Sequence, residues 1–162
     1  MKQATVKFKL GDISVLYQAL SNLNLKGVKV AYAVSKLKKL FEEQINTIRE
    51  SVQYPSDWPE YVAKQMQIVK EYMDNENGIP INIEGTTVKI DKNKIEELSQ
   101  RLNELAEQYK DLLEQKAKID EELNQLLQQE VELSIVQLSI EELPDDIDVA
   151  TMDVLVACKL IE

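Results

Sequence analysis

The chain has 162 residues, of which 44% are apolar and 30% charged, with four Gly, four Pro and a formal net charge of −10; this is the composition of a folded helical protein and excludes collagen-like, mucin-like and disordered architectures. A single cysteine, Cys158, and no histidine exclude an intrachain disulfide, Cys/His zinc sites and a Cys/His nucleophile pair. The charge is polarised: residues 1–40 hold eight lysines against one acid, Asp12, while residues 41–162 hold eleven Lys/Arg against 28 acids.

Residues 4–10 alternate, with Ala4, Val6, Phe8 and Leu10 on one side and Thr5, Lys7 and Lys9 on the other. That is the period of a half-buried strand, and Gly11-Asp12 then offers a turn and a helix cap. Leu16, Tyr17, Leu20 and Leu23 give a short helix one buried face, broken within residues 24–27. A longer helix follows over residues 28–52, carrying Val30, Val34, Leu37, Phe41, Ile45, Ile48 and Val52. The segment YPSDWP ends it, because a residue before proline is pushed out of the helical region. Asp57 and Glu60 have the spacing of a capping box for a further helix with Val62, Met66, Val69 and Met73 inside, stopped by Asn77-Gly78.

The segment IPINIEGTTVKI reads as a β-hairpin turning at Glu84-Gly85. A two-residue loop sets Ile83 opposite Thr86, Ile81 opposite Val88 and Ile79 opposite Ile90, so that Ile79, Ile81, Ile83, Val88 and Ile90 share a face. Asp91 or Asn93 caps a long helix to residue 129, with apolar residues at 95, 98, 102, 105, 109, 112, 119, 123 and 126. This is a heptad seam interrupted only by Lys116. At 1.5 Å per residue it is on the order of 55 Å long and needs a partner along its length. The helices at 28–52 and 57–73 can supply one by running alongside; a parallel homodimer through the same seam is the competing arrangement. Val131, Leu133 and Ile135 then alternate before a phase change to Val136, Leu138 and Ile140, as in a bulged strand. This strand can pair with the first, bringing Lys7 and Lys9 near Glu132. Ser139 and Glu142 suggest one helical turn before Pro144, and Asp148 caps a last helix with Met152, Leu155, Val156 and Ile161 on its apolar side.

The expected fold is therefore mainly α with small β elements (α+β): an elongated antiparallel helical hairpin in one domain, 1–162. Its helical arms are 28–74 and 91–129, its β-tip 79–90, its base strands 4–10 and 131–140, and its terminal helix 148–161. No apolar run reaches membrane-spanning length and the first residues lack a signal-peptide core, which predicts a soluble cytoplasmic protein.

No phosphate-cradling or nucleophile-elbow motif occurs, and the acids form solvated pairs such as Glu121-Glu122, Glu141-Glu142 and Asp145-Asp146. Asp145, Asp146 and Asp148 lack the spacing and glycine of a calcium loop. The expectation is no enzyme, no cofactor and no metal, with function residing in surfaces. Two surfaces are candidates. Lys29, Tyr32, Lys36 and Lys39 form a basic stripe with an aromatic inside it, suited to a phosphate-bearing ligand or an acidic protein; the alternative is that these lysines pair with acids such as Glu104, Glu107 or Glu114. The hairpin face of Ile79, Ile81, Ile83, Val88 and Ile90 is a partner site if its own helices leave it open. Direct nucleic-acid binding is disfavoured because the acidic remainder repels the duplex.

The segments ALSNLNLKGVKVAYAVSKLKKLFEEQ, NGIPINIEGTTVKI and LLQQEVELSIVQLSIEELPDDIDVATMDVL, with the terminal LIE, span nearly the whole chain. In them the chain resembles a family of small proteins from tailed phages and prophages of Gram-positive bacteria, carried as a domain of unknown function. The Lys29, Tyr32, Lys36 spacing is part of that pattern, whereas residues 54–73 and the longer heptad helix depart from it. The resemblance implies a phage context rather than an activity. The expectation is a phage protein that binds a host protein stoichiometrically, most simply to inhibit a defence protein. A virion or assembly component, or a sponge for a small nucleotide signal, are the alternatives.

Overall fold

The computed structural model describes residues 1–162. In chain order the elements are β1 (Lys2–Lys9), α1 (Leu10–Ser21), α2 (Val28–Ser51), α3 (Trp58–Lys70), β2 (Ile79–Ile83), β3 (Thr86–Ile90), α4 (Ile95–Gln108), α5 (Lys110–Leu127), β4 (Glu130–Gln137) and α6 (Val149–Ala157). Six helices and two two-stranded antiparallel sheets make the protein mainly α with small β elements. No helix is long and apolar enough to cross a membrane. Where the sequence predicts one domain over 1–162, the chain divides into two compact units, Met1–Val52 with Glu121–Glu162, and Gln53–Asp120.

In the first unit β1 pairs antiparallel with β4, from Lys2 opposite Gln137 to Lys9 opposite Glu130. Phe8 faces inward, and its ring meets Phe41 of α2 edge-on at 5.1 Å. The outer face pairs Lys7 with Glu132 at 3.6 Å. β1 stops at Lys9 rather than Leu10, because the Leu10 N–H still reaches Gln129 O at 2.9 Å while the chain already turns into α1. The turn and Asp12 cap expected at Gly11-Asp12 therefore do not form; Asp12 lies in the first turn of α1, where a carboxylate suits the helix dipole. Gly11 instead packs closely on the end of α5, where a Cβ would lie 3.0 Å from Leu127 O, a tight contact.

Val30, Ala33, Val34, Leu37 and Phe41 are the buried residues of α2, so the first half of this helix carries the core, with Ile45 packed partly against it. The phase change after Ile135 is an exchange of partners rather than a bulge. Leu138 N–H donates to Leu160 O at 2.7 Å and Glu162 N–H to Leu138 O at 3.1 Å, so the chain beyond β4 pairs with the last residues. Ser139 and Glu142 form the expected capping box on a single 3₁₀ turn, Ile140–Glu142. Asp148 caps α6 through the Thr151 N–H at 2.8 Å. This helix ends at Ala157, and Thr151, Leu155 and Cys158 face the core while Val156 points outward. Burial raises the Cys158 thiol to about 11, as expected of a packing residue.

The second unit packs α3 antiparallel against α4 and the start of α5. Trp58, Tyr61 and Val62 at the start of α3 share a cluster with Leu105, Tyr109 and Leu112, and Met66 and Val69 at its end share one with Leu98 and Leu102. No Asp57/Glu60 capping box forms: the Asp57 side chain makes no cap bond, and Glu60 pairs with Lys64 at 2.8 Å and accepts from Tyr109 Oη at 3.2 Å. α3 stops at Lys70, well before Asn77-Gly78. A turn follows in which the Asp74 carboxylate accepts from the N–H groups of Glu76 and Asn77. Gly78 closes it, since a Cβ there would lie 2.3 Å from Asp74 O.

β2 and β3 have the predicted register, with Glu84 (φ 48°) and Gly85 (φ 79°) as the left-handed pair of the turn. The hairpin folds back over its helices instead of projecting as a tip. Ile83, Val88 and Ile90 are buried with Val69, Tyr72 and Leu98, and the Glu84 charge acts on both Tyr61 and Lys116.

The predicted continuous helix 91–129 is two helices. Asp91 accepts from Asn93 N–H and caps a 3₁₀ turn, Lys92–Lys94, that leads into α4. The helix breaks at Tyr109 (φ −113°, ψ 26°), whose N–H makes a three-residue bond to Ala106 O. The Tyr109 ring lies 5.4 Å from Tyr61 and its hydroxyl meets Glu60 and Lys64. Lys116, the polar slot in the seam, has its own surroundings. Its ammonium bonds Asp120 and lies 4.7 Å from the Trp58 ring and 5.3 Å from the Tyr54 ring, while Tyr54 Oη donates to Asp120 at 2.8 Å.

Candidate functional site

The basic stripe lies on α2, which starts abruptly at Gly27. Gly27 adopts φ 83°, and a Cβ there would lie 2.9 Å from the Pro144 ring, so both backbone and packing require glycine. This close approach brings residues 139–146 against the start of α2. Lys29 donates to Glu142 at 2.8 Å and Lys26 to Asp146 at 2.5 Å. Glu142 also accepts from the terminal ammonium at 2.5 Å and from Ser139 N–H at 3.2 Å. With Lys29 as the largest influence, these donors hold its carboxyl down at about 2.

The structure thus separates the four stripe residues. Lys29 is engaged by Glu142, while Tyr32, Lys36 and Lys39 remain exposed, with the Lys36 ammonium 5.7 Å from the centre of the Tyr32 ring. Beside them, Lys38 lies over Tyr17 at 5.3 Å. Tyr17, Ser21, Ser35, Lys38 and Lys39 line a groove of about 450 Å³ between α1 and α2.

The hairpin face is not an open patch. Ile83, Val88 and Ile90 are buried and Ile81 is partly covered, leaving only Ile79 exposed, at 44%. Burying these side chains stabilises the second unit, and it removes the face as a partner site.

Two features were not singled out in the sequence. One is the box around Lys116, where the ammonium is held charged first by its bond to Asp120, and Asp120 is held ionised by Lys116 and Tyr54. Its sequence signal is the polar residue within the seam. The other is a ridge on α4, where Glu96, Glu97, Gln100, Asn103, Glu104 and Glu107 line an open groove of about 660 Å³. The acids of the ridge are exposed and none pairs with a lysine or arginine; Glu97 accepts from Tyr72 Oη at 3.0 Å and Glu104 from Gln100. The spacing 96, 100, 103, 107 with no lysine on that face is legible in the sequence once the seam is assigned. Asp146 and Asp148 are occupied by Lys26 and by the α6 cap, and no three acid or thiol side chains converge as a metal site. No protein family matches the chain, and no curated protein or solved structure is significantly similar to it.

Proposed function

We propose that this chain is a phage-encoded, non-enzymatic binding protein that acts in the cytoplasm of an infected bacterium as a stoichiometric inhibitor of a host defence protein. The observation that supports it is the α4 ridge. Over about 17 Å of helix it presents four carboxylates, none neutralised by a cation of the unit. Such a ridge suits a basic surface on a partner, with electrostatics setting association rate and selectivity more than affinity. The phage setting comes from the sequence resemblance alone.

The test is capture of partners from host lysate by the tagged chain, followed by the same capture with Glu96→Lys, Glu104→Lys and Glu107→Lys combined. One host protein that is recovered by the wild type, weakened by salt and lost by the triple variant fits the reading. Equal recovery by the variant, or incorporation of the chain into purified virions, refutes it. A second reading, a sponge for a small nucleotide signal, is favoured by the groove holding Lys38 and Lys39. It requires nucleotide absorbing at about 260 nm to be released on heating, and to be absent from a Lys36→Glu, Lys39→Glu protein.

A further inference from the structure

The sheet of the first unit has an open edge. β1 pairs with β4 alone, so no strand lies on its other side. The Leu10 N–H bond to Gln129 O continues the ladder by one pair and sets its phase. Residues of β1 in step with Leu10 exchange main-chain bonds with β4, and the alternate residues Gln3, Thr5, Lys7 and Lys9 turn their N–H and C=O groups to the open edge. Lys159 corroborates this phase: in the left-handed region at φ 56°, it donates its ammonium to the main-chain oxygen of Lys7. A side-chain cation thus stands where an added strand would bring an N–H.

Beside residues 7–9 lies a groove of about 560 Å³ with an apolar floor and a charged rim in which three lysines outnumber two acids. Phe8, Leu16 and Val15 form the floor, Val15 being 69% exposed, and Lys7, Lys9 and Lys159 stand at the rim with Asp12 and Glu130. Charge selects the occupant. β4 already sets Glu132 opposite Lys7 and Glu130 opposite Lys9, and of these lysines only Lys7 is within ion-pairing distance of its acid. A second copy joined through β1 would set lysines near lysines, which opposes pairing. We infer that the open edge of β1 receives an extended acidic segment of a protein partner as a third strand. Its carboxylates meet Lys7 and Lys9 on the outer face, and its alternate apolar side chains enter the groove over Phe8, Val15 and Leu16. This site is separate from the α4 ridge and shares with the proposed function only the premise of a protein partner.

The experiment titrates the full chain with fluorescein-labelled peptide EVELSIVQ, which carries the Glu-x-Glu pattern of β4, and with its counterpart KVKLSIVQ. Anisotropy should show the acidic peptide binding about tenfold tighter, as two favourable pairs become two repulsive ones. Amide exchange should slow at Thr5, Lys7 and Lys9 when it binds. A Lys7→Glu, Lys9→Glu chain with unchanged far-UV circular dichroism should reverse the preference. Should that chain not fold, the peptide comparison and exchange map on the wild type decide. Equal affinity for both peptides, no binding, protection elsewhere, or a dimer that protects β1 without peptide overturns the proposal. Because no host protein is involved, its failure is distinct from failure of the inhibitor reading.

Discussion

In the first unit fourteen buried residues form one continuous cluster under the β1–β4 sheet, whereas the buried residues of the second fall into separate clusters of six and three. The smaller cores are bordered by rings that carry cations: Arg101 on Tyr72 at 5.5 Å, Lys64 on Tyr109 at 5.1 Å, and Lys116 on Trp58 and Tyr54. Each cation is also paired with an acid of its own unit, Glu71, Glu60 or Asp120. The contrast teaches that one unit rests on a single continuous core and the other on two smaller ones; in both, a cation's stem covers ring surface while its head stays wet. Ion pairs occur in both units, five in the first and three in the second, so salt and charge reversal should act on both, while cavity formation should act mainly on the first.

The largest expected effect is Phe41→Ala. Phe41 is fully buried against Phe8, and its loss should cost about 3–5 kcal/mol. Denaturant unfolding followed by circular dichroism, together with the emission of Trp58, the one tryptophan and a member of the second unit, tests whether that loss stays in the first unit. Coincident shifts of both signals would show that the units unfold together.

Lys116→Ala should lower stability by about 1 kcal/mol, a cation–aromatic value kept small because the ammonium is partly exposed. It should also shift Trp58 emission; unchanged emission would mean that the box does not persist in solution. Gln65→Leu should act in the opposite direction. The Gln65 side-chain oxygen is buried in α3 without a partner, so an apolar replacement should stabilise by about 1 kcal/mol in denaturant titrations.

The smallest effect is the pH dependence that Glu142 gives the first unit. The Glu142 carboxyl is lowered from 4.5 to about 2 on folding, so its contribution is complete above its unfolded value and is lost as pH falls through its folded one. Thermal melts should weaken between about pH 5 and pH 2, and Glu142→Gln should reduce that slope. An unchanged slope would remove Glu142 from the acid response.

Features that depend on neighbours in sequence were readable before folding was considered. The Ser139/Glu142 box and the Asp148 cap each join residues three positions apart, and the Glu84-Gly85 turn sets the hairpin register from its two residues outward. The Asp57/Glu60 box follows the same rule, yet its glutamate is drawn away by Lys64 and Tyr109. A local preference worth about 1 kcal/mol yields readily to contacts made by the assembled unit.

The candidate surfaces divide along the same line. Spacing alone placed Tyr32, Lys36 and Lys39 on one exposed face of α2, but the pairing of Lys29 with Glu142, 113 residues away, depends on how residues 139–146 return to that helix. Likewise the aliphatic face of the hairpin was plain in the alternation of Ile79, Ile81 and Ile83, while its burial depends on the hairpin folding back.

By itself, then, the sequence determined the helical character of the chain, the two hairpin strands, the caps at Ser139 and Asp148 and the lack of histidine chemistry, because periodicity, turn residues and composition act over a few residues. Only the tertiary structure decided the break at Tyr109, the box that accommodates Lys116, the unpaired ridge on α4 and the open edge of β1. Each of these depends on which distant side chain or strand arrives, and side-chain spacing along one segment carries no record of that.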